Sequence, residues 1–318
     1  MNDLIQVQNV NDVNGFDTAQ ETIDHYTQAA YSQSTKESYR RWVTQFEAAG
    51  FTLPATPENV VAFLVTLKKV NGELYAAQSI NQCVAAISKA HVVAGFIDPT
   101  DSIKVKTLVK GYRRAHGTAA TRNAAPVVKD DLTVFLSKLV GKTLIDKRNK
   151  ALILLGFSGA FRRSELAALE LRDLEFTGQG VIVSLRKSKT NQEGKPEIKT
   201  IPARNNKLCA VTALKEWIEA SNIIEGKLFR GITRHGGLRD SITTCAINTI
   251  IKAAFEGISD TTATSKVSAH SLRVGFITTC ATAKVPTHLI MQVSGHKSTQ
   301  MISHYSRVVD GFEGYPDI

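Results

Sequence analysis

His270 and Arg273 stand three residues apart in the run AHSLR, a spacing that puts both on one face of a helix. Downstream, Gly295-His296 is followed nine residues later by Tyr305. His270, Arg273, His296 and Tyr305, all within residues 269–307, have the makings of an anion site with a nucleophile beside it. Arginine matches a phosphate with a planar fork that donates two hydrogen bonds at once. Histidine donates a hydrogen bond or carries a proton. A tyrosine oxygen can attack phosphorus and hold it covalently. Tyr315 is also near but sits in an irregular tail, DGFEGYPDI. An isolated H-x-x-R is common by chance, so the upstream chain has to complete the site if there is one.

Two upstream segments offer the missing groups. In GAFRRSEL, Arg162 follows a strongly apolar run at a turn into the next helix, and Glu165 is placed to hold its guanidinium. The bland alternative is an ordinary ion pair worth about 0.3–0.5 kcal/mol. Arg163 competes for the role and is taken as solvent-facing. In Ser188-Lys189-Thr190, Lys189 lies at the tip of an expected hairpin, where a lysine can reach a leaving oxygen as general acid. In isolation it would be a solvated turn lysine.

The elements that must position these groups are mostly helical. Residues 1 to about 15 are polar and expected to be disordered. Helices are expected over Thr18–Tyr31, from a Ser34 or Thr35 cap to about Ala49, from Thr56-Pro57-Glu58 to Asn71-Gly72, over Ala76–Ala94, and over Ser102–His116. The run 117–125 (GTAATRNAA) loses periodicity and reads as an extended linker between two domains. From Pro126 the expected helices are Asp130–Leu139, Asp146–Gly159, Ser164–Leu171, Leu208–Ala220, Ser241–Phe255, Ser271–Ala283 and Pro286–Val293. Val181–Val183 and Ile198–Ile201 are strand signals around a turn at Thr190–Pro196. The fold class is therefore mainly α: an all-helical N-terminal domain, then a mixed α+β domain with a small antiparallel sheet.

Bulk properties agree with an anionic partner. The 318 residues carry 39 Lys+Arg against 29 Asp+Glu, a net charge of +10, which favours nucleic acid or an anionic surface. The four cysteines, Cys83, Cys209, Cys245 and Cys280, show no C-x-x-C and argue against a disulfide framework or a zinc site. No basic-then-apolar leader and no apolar run of about 20 residues is present, which argues against secretion and a membrane span. A cytoplasmic protein, nucleoid-associated in a bacterium, is expected.

Taken together, GAFRRSEL, SKT on a turn, HSLRVGF and GHKSTQMISHYSR resemble the tyrosine recombinase (phage integrase) family over nearly the whole chain. HSLRVG followed by IMQ-x-x-GH is similar to its Cre-like and Xer-like branch. One departure from Cre itself is His296, where Cre has tryptophan and the wider family has histidine. The resemblance implies a tail (1–15), a helical core-binding domain (16–116), a linker (117–125) and a catalytic domain (126–318). It implies site-specific DNA recombination that needs no metal or other cofactor. Arg162 and Arg273 would clamp the scissile phosphate, His270 and His296 would donate hydrogen bonds, Glu165 would support, Lys189 would be the acid and Tyr305 the nucleophile, giving a 3′-phosphotyrosine. The partner would be double-stranded DNA with paired inverted half-sites, bound by a homotetramer on two sites; the chain would be a monomer or weakly associated without DNA. Lys36, Arg40, Arg41 and Lys89 are candidate backbone contacts, and Thr244, Cys245 and Asn248 candidate base readers. The rivals are a type IB topoisomerase and a DNA-binding accessory protein with a dead site.

Overall fold

Trp42 and Phe46 are four residues apart, and both are buried. That pair sets the inner face of the first helix in a computed structural model, which describes residues 31–117, 124–186, 197–258, 267–299 and 302. The described chain falls into two compact units, divided between Thr121 and Arg122. The expected tail, the helix over Thr18–Tyr31 up to residue 30, most of the 117–125 linker, and the Thr190–Pro196 turn lie outside the described residues.

The first unit is helical: α1 (Gln33–Ala48), α2 (Pro57–Thr66), α3 (Ala77–Val93) and α4 (Ile103–His116), with a 3-10 turn at Pro99–Asp101. Its core is Trp42, Phe46, Val60, Phe63, Leu64, Ile80, Ile87 and Val105 with their neighbours. α1 starts two residues earlier than expected, because Ser32 rather than Ser34 accepts from the Thr35 N–H and caps it. α2 begins as expected, with Thr56 and Asn59 capping reciprocally and Pro57 in the first turn. It ends at Thr66, not at Asn71-Gly72. Leu67 turns extended and buries its side chain, and a bridge between Lys68 and Leu74 takes over. His91, fully buried, spends both ring nitrogens on backbone: Nδ1 on the Ile87 carbonyl and Nε2 on the Ala55 N–H, each at 2.8 Å.

The second unit is built on α6 (Leu144–Ser158), which follows α5 (Lys129–Lys138). The run Ala151–Leu155 is wholly buried, as its apolar sequence demands, and α6 packs against α8 (Ala210–Ser221). Trp217 on α8 donates its indole N–H to the Leu228 carbonyl. α5 starts before Asp130, since it is Asp131 that accepts from the Val128 N–H. α6 starts at Leu144 because Thr143 and Asp146 form a capping box. The helix after GAFRR is short: α7 covers Arg163–Ala168, and Leu169 leaves it to enter the core.

Three strands follow: β1 (Leu174–Phe176), β2 (Gly180–Leu185) and β3 (Glu197–Pro202), antiparallel in the order β1-β2-β3. Leu174 pairs with Val183, and Leu185 with Glu197, the last pair before the chain between β2 and β3 that contains Lys189. The helices α9 (Thr244–Ala254), α10 (Ala269–Thr282) and α11 (Thr287–Ser294) complete the unit. α10 is apolar nearly all round and touches α5, α6, α9 and α11, so it is a central strut. No helix among the described residues is long and apolar enough to cross a membrane.

Gly275 explains part of HSLRVGF. A Cβ there would lie 1.7 Å from the Val127 carbonyl oxygen, whose own N–H is bonded to the Ser271 carbonyl. Backbone on backbone cannot yield, so Gly275→Ala is expected to push α10 outward at a cost of about 1–3 kcal/mol. Thermal melting should show a loss of several degrees; an unchanged melting temperature would contradict this account.

Candidate active site

The turn between α6 and α7 aims the first arginine. Ala160 sits in the left-handed region (φ 48°), a conformation that costs an L-residue about 1–2 kcal/mol. The bend turns the Ala160 carbonyl toward α10, where Arg273 Nη1 donates to it at 2.9 Å. Two residues on, Arg162 begins α7 in extended conformation. Glu165 accepts from the Arg162 N–H at 2.8 Å and from its guanidinium at 2.5 Å. The Glu165 side chain is 1% exposed, so this is a buried anchor rather than the surface pair considered above. Arg163 is exposed, as expected.

Arg273 is buried beside it, and its second nitrogen, Nη2, lies 3.4 and 3.5 Å from the two ring nitrogens of His296. His296 follows Gly295, which ends α11 in the left-handed conformation. The fully buried Ser294 fixes the ring through its hydroxyl, 2.8 Å from His296 Nδ1. His270 lies one turn before Arg273 on α10, reaching the surface at one edge and close enough to Arg273 and Arg162 to feel both charges.

Both histidines are held below their ordinary pKa. For His296 burial is the main cause, followed by the charges of Arg273, Arg162, His270 and Lys199, and the value falls to about 4. For His270 desolvation leads, with Arg273 and Arg162 adding to it. Both rings are therefore neutral at pH 7, able to donate from one nitrogen and accept at the other. The unfolded chain binds protons at these positions near pH 6.5, while folded His296 resists them until about pH 4. Over that window the unfolded state holds more protons, so stability falls as pH falls. The DNA-free protein is expected to melt at lower temperature as pH drops from 7 toward 4, and His296→Gln should flatten part of that drop. Parallel curves for the two proteins would refute the assignment.

Sequence reasoning missed Lys199. It occupies an inward position on β3, alternating with Ile201, and its side chain is 1% exposed. Its ammonium donates to the Val293 carbonyl, stands 3.4 Å from Glu197 and lies 5.4 Å from the centroid of the Phe161 ring. Burial lowers its pKa, Glu197 and Glu165 oppose that, and Arg273 adds to it. The signal was available: in EIKTIP a period of two that buries Ile201 also turns Lys199 inward. Ser294 gave no signal of its own.

The described residues thus gather Arg162, Glu165, Lys199, His270, Arg273 and His296 into one cluster, dominated by positive charge and hydrogen-bond donors. Such a cluster binds an oxyanion such as a phosphate. Lys189, Tyr305 and Tyr315 lie outside the described residues. Ile302, three positions before Tyr305, is buried against Ile277 and Ile290.

Comparison with known proteins places this cluster. The model of the phage integrase family matches residues 130–311, more than half of the chain and all of the cluster. The chain belongs to the phage integrase family. Among its relatives is the integrase/recombinase XerD homologue of Selenomonas ruminantium, 35% identical over 257 residues, covering 80% of this chain and 74% of that protein. The recombinase Cre of Escherichia phage P1 is 24% identical over 278 residues, covering 82% and 78%. The fold agrees with that of a Tn1549 transposon integrase in complex with transposon right end DNA (TM-score 0.61, 17% identity, 90% of this chain and 92% of that one). It agrees also with a lambda integrase dimer bound to a COC′ core site (TM-score 0.58, 15% identity, 95% and 80%). The chain is a tyrosine site-specific recombinase of the Cre-like and Xer-like kind, and DNA is its partner.

Other recombinase residues singled out from the sequence fare unevenly. On α1, Arg40 and Arg41 are exposed, and Lys36 and Arg40 share a face at i,i+4 spacing. Lys89 on α3 is half-buried, with its ammonium 4.9 Å from the centroid of the Tyr31 ring. On α9, Cys245 is exposed and Thr244 half-buried. Asn248 is half-buried. Its side-chain oxygen accepts from the Ala269 N–H at 2.9 Å, satisfying a free donor at the start of α10.

Proposed function

We propose that this recombinase cuts DNA by in-line attack of Tyr305 on a phosphodiester held between Arg162 and Arg273. The Tyr305 oxygen forms a bond to phosphorus as the bond to the 5′-oxygen breaks. The product is a 3′-phosphotyrosine, and Lys189 supplies the proton to the departing 5′-oxygen. His296 donates a hydrogen bond to the phosphate, and neutral His270 accepts the phenol proton. Charge that grows on the phosphoryl oxygens meets donors already in place, which is where such a site gains rate. Glu165 keeps Arg162 from swinging into solvent. The bond energy stays in the phosphotyrosine, so a 5′-hydroxyl from a second duplex reverses the step and completes strand exchange through a Holliday junction.

The observation that carries this is that Arg162 and Arg273, 111 positions apart, both act on His270 and His296, with Arg273 bonded to the Ala160 carbonyl two residues before Arg162. On this reading residues 16–116 bind DNA together with residues 126–318, the assembly is a homotetramer on two sites with inverted half-sites, and the protein works in the cytoplasm on the nucleoid. Footprinting on DNA flanking its gene should give two inverted protected half-sites. A duplex of that sequence, nicked beside the cut, should trap a covalent protein–DNA adduct resistant to 3′-exonuclease. Relaxation of plasmids without any such site would favour a type IB topoisomerase. Binding with no adduct on any nicked duplex would favour an inactive accessory protein.

A further inference from the structure

We infer that Lys199 is a positioning residue of the recombination site, capping the end of α11 from β3 so that Gly295 and His296 are held against Arg273. This rests on the proposed chemistry of the site. A lysine is almost never fully buried without a partner, because stripping its ammonium of water is costly. Lys199 is buried, and its partners are specific. The last carbonyls of a helix have no donor within it, and a cation there is favoured by the helix dipole. In α11 the Gly295 N–H takes the Met291 carbonyl, and Lys199 takes that of Val293.

The strand presses on this helix end at a second point. A Cβ on Gly295 would lie 2.7 Å from a Glu197 carboxylate oxygen, and Glu197 also sits 3.4 Å from Lys199. Gly295, left-handed and without a side chain, is the one residue type that passes through this gap without strain. His296 leaves directly from it. β3 is also the strand that the chain enters after Lys189. One side chain therefore ties the strand following the general acid to the helix end carrying a phosphate donor, 94 residues away. A purely structural lysine would stabilise the fold; a positioning lysine acts through His296, and the two differ in what depends on His296.

The test is a double-mutant cycle. Lys199→Met and Lys199→Arg are each made alone and in a His296→Ala background. Readouts are melting temperature, DNA affinity, single-turnover adduct formation on the nicked duplex, and the ring resonances of His296. Lys199→Met should slow adduct formation by about 10–100-fold, the usual loss when an outer partner of a site is removed. Affinity should stay within about twofold, and the His296 signals should move. In the His296→Ala background the same change should cost less than about threefold, because the residue through which Lys199 acts is gone. Equal losses in both backgrounds, or no loss, overturn the inference. If Lys199→Met does not fold, Lys199→Arg decides by the same comparison, since it keeps the charge and changes the geometry. If the parent protein forms no adduct on any nicked duplex, the recombinase chemistry fails separately. The His296 resonances then still decide: unmoved in both Lys199 variants, they sink the positioning role.

Discussion

Tyr305→Phe is expected to bind its DNA site with near-native affinity and to form no covalent adduct at all. The change removes a single oxygen, and a phenyl ring has no atom that can attack phosphorus. Affinity comes mainly from backbone contacts by cationic groups, and those are untouched. A gel-shift titration and a denaturing gel on the nicked duplex read the two properties side by side. Tyr315→Phe, ten residues further on, is the matched comparison and should keep the adduct. An adduct from the Tyr305→Phe protein, or its loss from the Tyr315→Phe protein alone, would move the nucleophile out of position 305.

Arg273→Lys should be nearly as severe for chemistry, slowing adduct formation by about 10²–10³-fold, the range seen when one transition-state donor is lost. The charge survives, so affinity should fall by no more than about tenfold. What does not survive is the fork. Nη1 of Arg273 donates to the Ala160 carbonyl, while Nη2 faces the His296 ring. An ammonium is a point donor and cannot meet both demands. Its shorter reach would also leave a buried carbonyl unpaired, so a few degrees of lost melting temperature should accompany the slower rate. A lysine variant cutting at the native rate would make Arg273 a strut of the fold and nothing more.

The contrast between the two arginines and Lys199 shows what was readable from sequence. Arg162, His270, Arg273 and His296 stand out because their types are costly to bury and their neighbours, GAFRRSEL and GHKST, are distinctive. The helix starts at Thr56 and Ser102 were equally plain, since a hydroxyl before an apolar periodic run caps by its own chemistry. The overrun of α2 had a physical cause: Leu67 suits a helix by propensity, and only tertiary burial makes it turn out. Lys199 was passed over because a lysine in a strand is normally an outward residue. The part Asn248 plays in the fold is equally hidden, since sequence does not reveal that its oxygen accepts from the Ala269 N–H across 21 positions.

The small cluster of Ile277, Ile290 and Ile302 decides how firmly α11 is held. It is separate from the main core that runs from Val127 through Leu272. Native-state opening follows such divisions, and a region held by few buried side chains exchanges its amides long before the whole domain unfolds. α6, buried along Ala151–Leu155, belongs to the slowest-exchanging class, whereas α11 belongs to a faster one. α11, which carries Gly295 and His296 at its end, can therefore open at a fraction of the global unfolding free energy while Arg162, Glu165 and Arg273 stay assembled.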